Sequence, residues 1–222
     1  MPSTLRSPTV ASTLDRLHAL ADVEDVRAKQ RVRDREAQLG GVRLSQPERY
    51  DLYGEAPQAI TREVGQLLYV LTVSRRTRRV VEFGASLGLS TIYLAAALRD
   101  CEGDSLTTTE CHTRKAILAQ ENLAAASLRD LIDLRVGDAL KTLERLDGPV
   151  DLLFLDGRND LYLPVLALVE PHLSPGALVV ADLSAEDPDL LPYLGHVSDP
   201  DSRYFSICVP LDDGVELSMP LA

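Results

Sequence analysis

The sequence predicts an α/β fold in which a mostly parallel sheet, covered by helices on both faces, ends in an antiparallel hairpin. Short continuous apolar runs alternate with helical segments from residue 79 onward, which is typical of parallel strands buried on both faces. An Asp-Gly turn separates the last two strand-like segments, as in a hairpin. No strand signal precedes residue 78. We therefore expect one structural unit, with a helical cap and link over residues 1–57 and the main domain over residues 58–222.

Two helices are predicted before the first strand. Apolar residues recur at helical spacing through residues 10–38, and the Gly40-Gly41 pair ends this helix. A polar link with Tyr50 and Tyr53, which are candidates for lining a pocket, precedes a second helix over 59–74. The apolar residues of the first helix are Leu14, Leu17, Leu20, Val23 and Val26.

Seven strands are predicted after these two helices. A Ser174-Pro-Gly turn is expected immediately before the fifth strand. The predicted strands cover residues 79–83, 106–110, 131–135, 150–155, 177–181, 203–209 and 215–219. The predicted helices between them cover residues 90–98, 114–125, 138–146 and 161–172.

Composition restricts the classes of function. With 222 residues, 45% of them hydrophobic, the chain suits one domain with a sizeable core. No apolar run reaches the roughly 20 residues that span a bilayer, the first ten residues lack the apolar region of a secretory signal, and three widely spaced cysteines argue against a disulfide framework. We therefore expect a cytoplasmic protein with no membrane contact.

The charge is unevenly distributed, which bears on the partner. The net charge is -11, and residues 80–222 carry 24 acidic but only 9 basic side chains. Such an acidic body repels a phosphate backbone. The expected partner is a small molecule and not a nucleic acid.

A glycine-containing turn follows the first predicted strand. The segment Val80-Val-Glu-Phe-Gly-Ala-Ser-Leu-Gly-Leu-Ser90 places Gly84 and Gly88 between a strand and a helix, where glycine lets a ligand approach the backbone. A dinucleotide fingerprint would need another glycine in place of Ser86.

A serine-hydrolase interpretation is an alternative for the same turn. Gly84-Ala-Ser86-Leu-Gly88 matches a nucleophile elbow, and Asp182 and His196 follow in the appropriate order. A hydrolase elbow, however, follows several strands and an oxyanion loop, whereas only helices precede this one.

A third interpretation is a loop that holds an adenosyl cofactor. It requires an acidic residue at the end of the second strand, where a carboxylate can accept both ribose hydroxyls, and Glu110 lies at that position. It also requires a polar residue after the third strand for the adenine edge, which Asp138 supplies. The glycine loop and the two acids lie at the ends of three successive strands, and this arrangement favours the third interpretation.

Further segments extend this pattern over about three quarters of the chain, from about residue 58 to the C-terminus. They are Ile60-Thr-Arg-Glu-Val-Gly65, Glu82-Phe-Gly84, Val150-Asp-Leu-Leu-Phe-Leu-Asp156, Pro175-Gly-Ala-Leu-Val-Val-Ala-Asp182 and Val209-Pro-Leu-Asp-Asp-Gly214. Together they resemble the catechol and caffeoyl-CoA O-methyltransferase family, which are class I S-adenosylmethionine-dependent enzymes. The resemblance implies a Rossmann-like methyltransferase fold, S-adenosylmethionine as cofactor and a homodimer.

The resemblance also implies roles for individual residues. The methionine end of the cofactor would lie on the glycine loop, the ribose on the acid that ends the second strand, the adenine beside the residues that follow the second and third strands, and the reacting methyl beside Asp156. The implied cofactor-binding residues are Ile60, Glu82, Gly84, Ser86, Gly88, Ser90, Glu110, Cys111, Asp138, Ala139 and Asp156.

Two departures from the family pattern concern catalysis. The family's lysine three residues after Asp156 is Asn159 here, and the family's Asp-Asn pair after the fifth strand is Asp182-Leu183. Leucine cannot coordinate Mg²⁺, so only Asp156 and Asp182 remain as metal ligands and the role of a divalent cation is in doubt. The implied catalytic residues are Asp156, Asn159 and Asp182.

No other lysine is expected to replace the missing one. The three lysines, Lys29, Lys115 and Lys141, lie on predicted helices, away from the strand ends. The implied function is methylation of a small molecule, with a hydroxyl oxygen as the first choice of acceptor atom. A cofactor-binding protein without catalysis and the serine hydrolase are the alternatives.

Overall fold

The computed structural model describes residues 3–184 and 187–221. It confirms the predicted α/β fold, and the bounds of the first and fourth strands are as predicted. The strands are β1 (Arg79–Phe83), β2 (Ser105–Glu110), β3 (Ile132–Val136), β4 (Val150–Leu155), β5 (Leu173–Asp182), β6 (Tyr204–Val209) and β7 (Val215–Pro220).

Helices precede the sheet and connect its strands. None in the described part of the chain is long and apolar enough to cross a membrane. The α-helices are α1 (Pro8–Gln38), α2 (Gln46–Tyr53), α3 (Arg62–Ser74), α4 (Leu89–Asp100), α5 (Thr113–Ala125), α6 (Ala139–Thr142), α7 (Tyr162–Val169) and α8 (Leu191–Ser198).

The strands form one seven-stranded sheet in the order β3-β2-β1-β4-β5-β7-β6. The first five strands are parallel, and β7 pairs antiparallel with both β5 and β6. The chain moves outward in one direction from β1 and in the other from β4. The gap between the carboxyl ends of these two strands is therefore the topological switch point, where open α/β sheets bind ligands.

The sheet is packed on both faces because its inner strands are apolar on both sides. Leu152 and Phe154 face a core that contains α1, α3, α4 and α5. Leu153 and Leu155 face a second core formed with α6, α7 and α8. The two cores hold the strand ends rigidly, which gives the switch point a fixed geometry.

The long first helix is only partly a core helix. Leu14 and Leu17 are buried as expected, but Leu20, Val23 and Val26 are 39%, 46% and 64% exposed. The buried stripe continues instead through small residues such as Ala21 and Ala28. The predicted apolar face therefore holds for the first half of α1 and is wrong for the second half.

Three further predictions about local structure are wrong. The polar link contains helix α2, which begins at a capping box formed by Ser45 and Glu48. Helix α6 is four residues long, so only residues 139–142 of the predicted segment 138–146 are helical. Strand β5 begins at Leu173, and the predicted Ser174-Pro-Gly turn is an irregularity in its pairing with β4.

Candidate active site

A cavity of about 610 Å³ lies at the carboxyl ends of the parallel strands, between the switch point and the segment formed by α1 and α2. Residues that follow β1, β2, β3, β4 and β5 all reach it. The sequence-predicted site residues in its lining are Gly84, Ser86, Glu110, Cys111, Asp138, Ala139, Asp156, Asn159 and Asp182.

The glycine loop closes against the end of β4. Gly84 has φ of +102°, and a Cβ atom at this position would collide with the backbone carbonyl of Asp156. The Asp156 amide in turn donates to the Phe83 carbonyl at 2.9 Å. Only glycine satisfies both the positive φ and this close approach.

Glu110 brings the second strand and the glycine loop together. Its Oε2 accepts the Ser86 amide at 2.9 Å, and its Oε1 accepts the His112 amide at 2.7 Å and the Tyr50 hydroxyl at 2.6 Å. The carboxylate is therefore fixed at the wall of the cavity, across from the loop.

Two predicted residues support this wall from outside the cavity lining. Glu82 is fully buried, accepts the Thr91 and Thr108 hydroxyls at 2.6 Å each, and its pKa is raised mainly by burial. Gly88 begins α4, with φ of +86°, and packs against Ala119 of α5. Their positions favour a role in stabilising the glycine loop and not in contacting a ligand.

Ile60 and Ser90 line a small adjoining pocket. This pocket measures about 10 Å³ and shares Ser86 and Asp156 with the main cavity. Both side chains are buried, 3% and 4% exposed. They lie beside the glycine loop, at the side of Asp156.

The residues implied for adenine lie on the other side of Glu110. Cys111 is exposed, and its Sγ lies 3.4 Å from the Tyr50 hydroxyl. Asp138 begins α6 and accepts the Leu140 amide at 3.0 Å, while Ala139 is buried in the cavity wall.

Two carboxyl groups lie close together at the opposite part of the cavity. Burial raises the pKa of Asp156, and the neighbouring charges of Asp182 and Glu82 raise it further. Burial also raises the pKa of Asp182 to about 7, with contributions from Asp212 and Asp213. The Oδ1 atom of Asp182 is buried and has no hydrogen-bond partner among the described residues.

The donor set does not fit the metal site that the resemblance implies. Leu183 lies where a third oxygen ligand would be needed, and it lines the cavity beside Asp182. In the described part of the chain, no group of three or more His, Cys, Asp or Glu side chains could hold a metal ion. No catalytic step is therefore derived through a divalent cation.

Asn159 connects this region to the helical segment above it. Its side-chain amide donates to Asp187 at 2.9 Å. Asp187 is also contacted by Arg43, by Gln46 at 2.8 Å and by Arg49 at 3.3 Å. One buried carboxylate therefore joins the implied acceptor side of the cavity to the start of α2.

The expectation that the lysines lie away from the strand ends is wrong for two of them. Lys29 and Lys115 both line the cavity. Lys115 follows Glu110 by five residues, in the first turn of α5, and its ammonium donates to Gln58 at the wall of the cavity. Tyr50 and Tyr53, proposed as pocket residues from their place in the link, also line the cavity.

The hydrolase constellation is not assembled. The Ser86 hydroxyl donates to the Pro57 carbonyl. His196 packs against Tyr204, with 5.7 Å between ring centroids, and its Nε2 lies 3.9 Å from Glu170. His196 is therefore engaged elsewhere and does not serve Ser86 as a base in this arrangement.

Comparisons with known proteins agree with the fold. The family described as "Methyltransferase domain" matches residues 81–182. The catechol O-methyltransferase of Niastella koreensis is 30% identical over 57% of this chain and 58% of its own length. That of Mycobacterium tuberculosis is 33% identical over 56% of each chain. The chain thus spans a little over half the length of these curated relatives.

A solved structure gives a similar result. The O-methyltransferase TomG of Streptomyces achromogenes, involved in tomaymycin synthesis and solved in complex with SAM, superposes with a TM-score of 0.59 and 29% identity. The match covers 74% of this chain and 82% of TomG. The fold defines a class I methyltransferase-like protein. The matches show that the chain is similar to O-methyltransferases in sequence over a little more than half of its length and in fold over 74% of it.

Proposed function

We propose that this protein transfers the methyl group of S-adenosylmethionine to a small molecule, most readily to a hydroxyl oxygen. The observation that carries the proposal is the 2.9 Å hydrogen bond between the Ser86 amide and Glu110. It joins the glycine loop to an acid that can accept ribose hydroxyls, at the switch point of the sheet.

The residues around the cavity fit the cofactor. Glu110 would bind the ribose, the Gly84 turn leaves room for the methionine part, and Asp138 with Ala139 would flank the adenine. Ile60, Ser86 and Ser90 would complete the methionine end, Cys111 would pack on the adenine, and Glu82 and Gly88 would support the loop from outside the cavity. Once bound, the cofactor supplies a sulfonium-activated methyl group, so the protein has to bind, orient and, where needed, deprotonate the acceptor.

Asp156, Asn159 and Asp182 are the proposed acceptor-site residues. A carboxylate whose pKa is about 7 is suited to accept a proton near neutral pH. The Oδ1 of Asp182 has no hydrogen-bond partner among the described residues and could receive the proton. Asp156 would lie beside the positive sulfonium, where its negative charge is stabilised. Asn159, anchored by Asp187, would orient the acceptor.

Calorimetry tests the proposal without knowledge of the acceptor. Wild-type protein is expected to bind S-adenosylhomocysteine in the micromolar range, and Glu110→Ala should weaken binding at least about tenfold because the ribose loses its charged acceptor. Glu121→Ala removes an exposed carboxylate from α5 and is the matched control. Wild-type protein that binds no adenosyl ligand would end the proposal.

A second candidate is a cofactor-binding protein without catalysis. The observation in its favour is that Asn159 stands where the resemblance implies a lysine and that its amide is already bonded to Asp187. Incubating the protein with labelled cofactor and a panel of phenols, amines and thiols distinguishes the methyltransferase from the binding protein. Clear binding with no methylated product from any class would favour the second candidate.

The remaining features belong to the same proposal. The partner is a small molecule and not a nucleic acid, the location is the cytoplasm, and the assembly is a homodimer, as the resemblance implies. Residues 1–57 act as a helical cap on the domain formed by residues 58–222. Light scattering coupled to gel filtration measures the assembly state directly.

A further inference from the structure

A buried cation lies in the wall of the cavity, in the first turn of α5. The Lys115 side chain is 1% exposed, and its Nζ donates to Gln58 Oε1 at 3.0 Å. The ammonium also lies over the Tyr50 ring, 5.3 Å from its centroid. It is thus held in place by neutral groups.

This ammonium has unused binding capacity. A lysine carries three N–H donors, and Gln58 is the one hydrogen-bond acceptor it contacts among the described residues. It forms no ion pair within that part of the chain, although Glu110 and Asp25 act on it at longer range. Burial lowers its pKa, which is the expected result when a charge is desolvated without a close partner.

A buried cation of this kind is stabilised by an anion that enters the cavity. Gln58 follows Pro57, whose carbonyl accepts the hydroxyl of Ser86 in the glycine loop. Lys115 therefore reaches the same stretch of chain as the loop that would hold the methionine part of the cofactor. That part carries the cofactor's one anionic group, an α-carboxylate.

On this geometry, and resting on the proposed function, we infer that Lys115 binds the α-carboxylate of S-adenosylmethionine and that Gln58 positions its ammonium. The sulfonium and amino group would then lie toward Asp156, and the carboxylate toward the only buried lysine of the described cavity wall. Lys115 would be a specificity determinant, because it favours ligands that retain the carboxylate over adenosyl compounds that lack it.

Two ligands that differ in one group test this inference. S-adenosylhomocysteine retains the carboxylate, and S-adenosyl-3-thiopropylamine has the same adenosyl, thioether and amino groups without it. Their dissociation constants are measured by calorimetry for the wild type, Lys115→Met, Lys115→Arg and Lys29→Met. Lys29 is an exposed lysine that also lines the cavity, so its variant controls for the loss of one charge.

The ratio of the two dissociation constants measures the preference for the carboxylated ligand. Lys115→Met should reduce the preference for the carboxylated ligand about tenfold or more, Lys115→Arg should retain most of it, and Lys29→Met should leave it unchanged. Equal weakening of both ligands by Lys115→Met indicates a structural role and overturns the inference, as does an unchanged ratio. Wild-type protein that binds neither ligand instead refutes the proposed function itself.

A second measurement does not depend on the variant being folded. In wild-type protein the preference for S-adenosylhomocysteine over the amine should decline as rising pH removes the Lys115 proton, after the amino-group titration of each free ligand, measured separately, has been subtracted. A preference that is constant up to alkaline pH contradicts the inference.

Discussion

The hydroxyl of Tyr50 donates to Oε1 of Glu110 at 2.6 Å, on the carboxylate proposed to bind ribose. A carboxylate offers about four acceptor positions. The His112 and Ser86 amides fill two more of them, so one remains for two ribose hydroxyls. Bidentate binding of ribose therefore requires Tyr50 to withdraw from Glu110.

Removing this hydroxyl should strengthen binding of the cofactor product. Tyr50→Phe is expected to lower the dissociation constant of S-adenosylhomocysteine about five- to tenfold, since a hydrogen bond to a charged group no longer competes. Tyr53→Phe makes the same change one turn further along α2 and should have little effect. Weaker binding by Tyr50→Phe would mean that the hydroxyl contacts the ligand instead.

Two glycine substitutions can separate the cost of a positive φ from the cost of a steric clash. Gly84→Ala combines a positive φ with a clash against the Asp156 carbonyl and should cost more than about 3 kcal/mol in free energy of unfolding. Gly176→Ala also has a positive φ, of +75°, but open space around the new methyl, so we expect a loss of about 1 kcal/mol. Urea unfolding measures both, and equal losses would contradict the close approach.

Asp187 should hold α2 in place over the cavity. Asp187→Ala leaves Arg43, Gln46 and Arg49 without their shared acceptor, and we expect a loss of about 2–3 kcal/mol. Hydrogen exchange should quicken in the α2 amides more than in the sheet. Asp189→Ala, at a 39%-exposed side chain that also contacts Gln46, is the control, and an equal response from both variants would refute this role.

The Asp182 carboxyl group should make stability depend on pH. Its pKa is raised from 3.8 to about 7 in the folded protein, so its stabilising contribution is complete below pH 4 and is lost as pH rises through about 7. The free energy of unfolding should thus fall by on the order of 2 kcal/mol between pH 5 and pH 8. Asp182→Asn should flatten this decline.

Urea unfolding at several pH values across this range provides the measurement. Asp147→Asn, at an exposed aspartate, reports the effect of removing a surface charge alone. A decline that persists in full in Asp182→Asn would assign it to other groups.

Local patterns predicted most of the sheet because each strand carries its own signal. The run over residues 150–155 is apolar on both faces apart from Asp151, and its shortness between helical segments favours a buried strand. The Asp-Gly pair similarly specifies the hairpin. These features depend on neighbours in sequence, so the sequence alone sufficed.

Features that depend on distant contacts escaped prediction. Helix α2 has few apolar residues because its tyrosines face a cavity, although Ser45, Pro47 and Glu48 are a recognisable start signal. The position of Lys115 depends on Gln58, 57 residues earlier in the chain. The resemblance already implied Asp156 and Asp182 as residues of one site, but their raised pKa values depend on burial, which the sequence does not show.

The contacts between the start of α2 and Asp187 also determine when α2 can pack against the domain during synthesis of the chain. Arg43 and Gln46 contact Asp187, which lies 144 and 141 residues later in the sequence, and loops of this length close slowly. A ribosome delivers all of β1 to β5 before this carboxylate emerges. The strand ends that form one side of the cavity are therefore complete before α2 can be bound over them by Asp187. Until then, the glycine loop of a nascent chain is exposed to solvent.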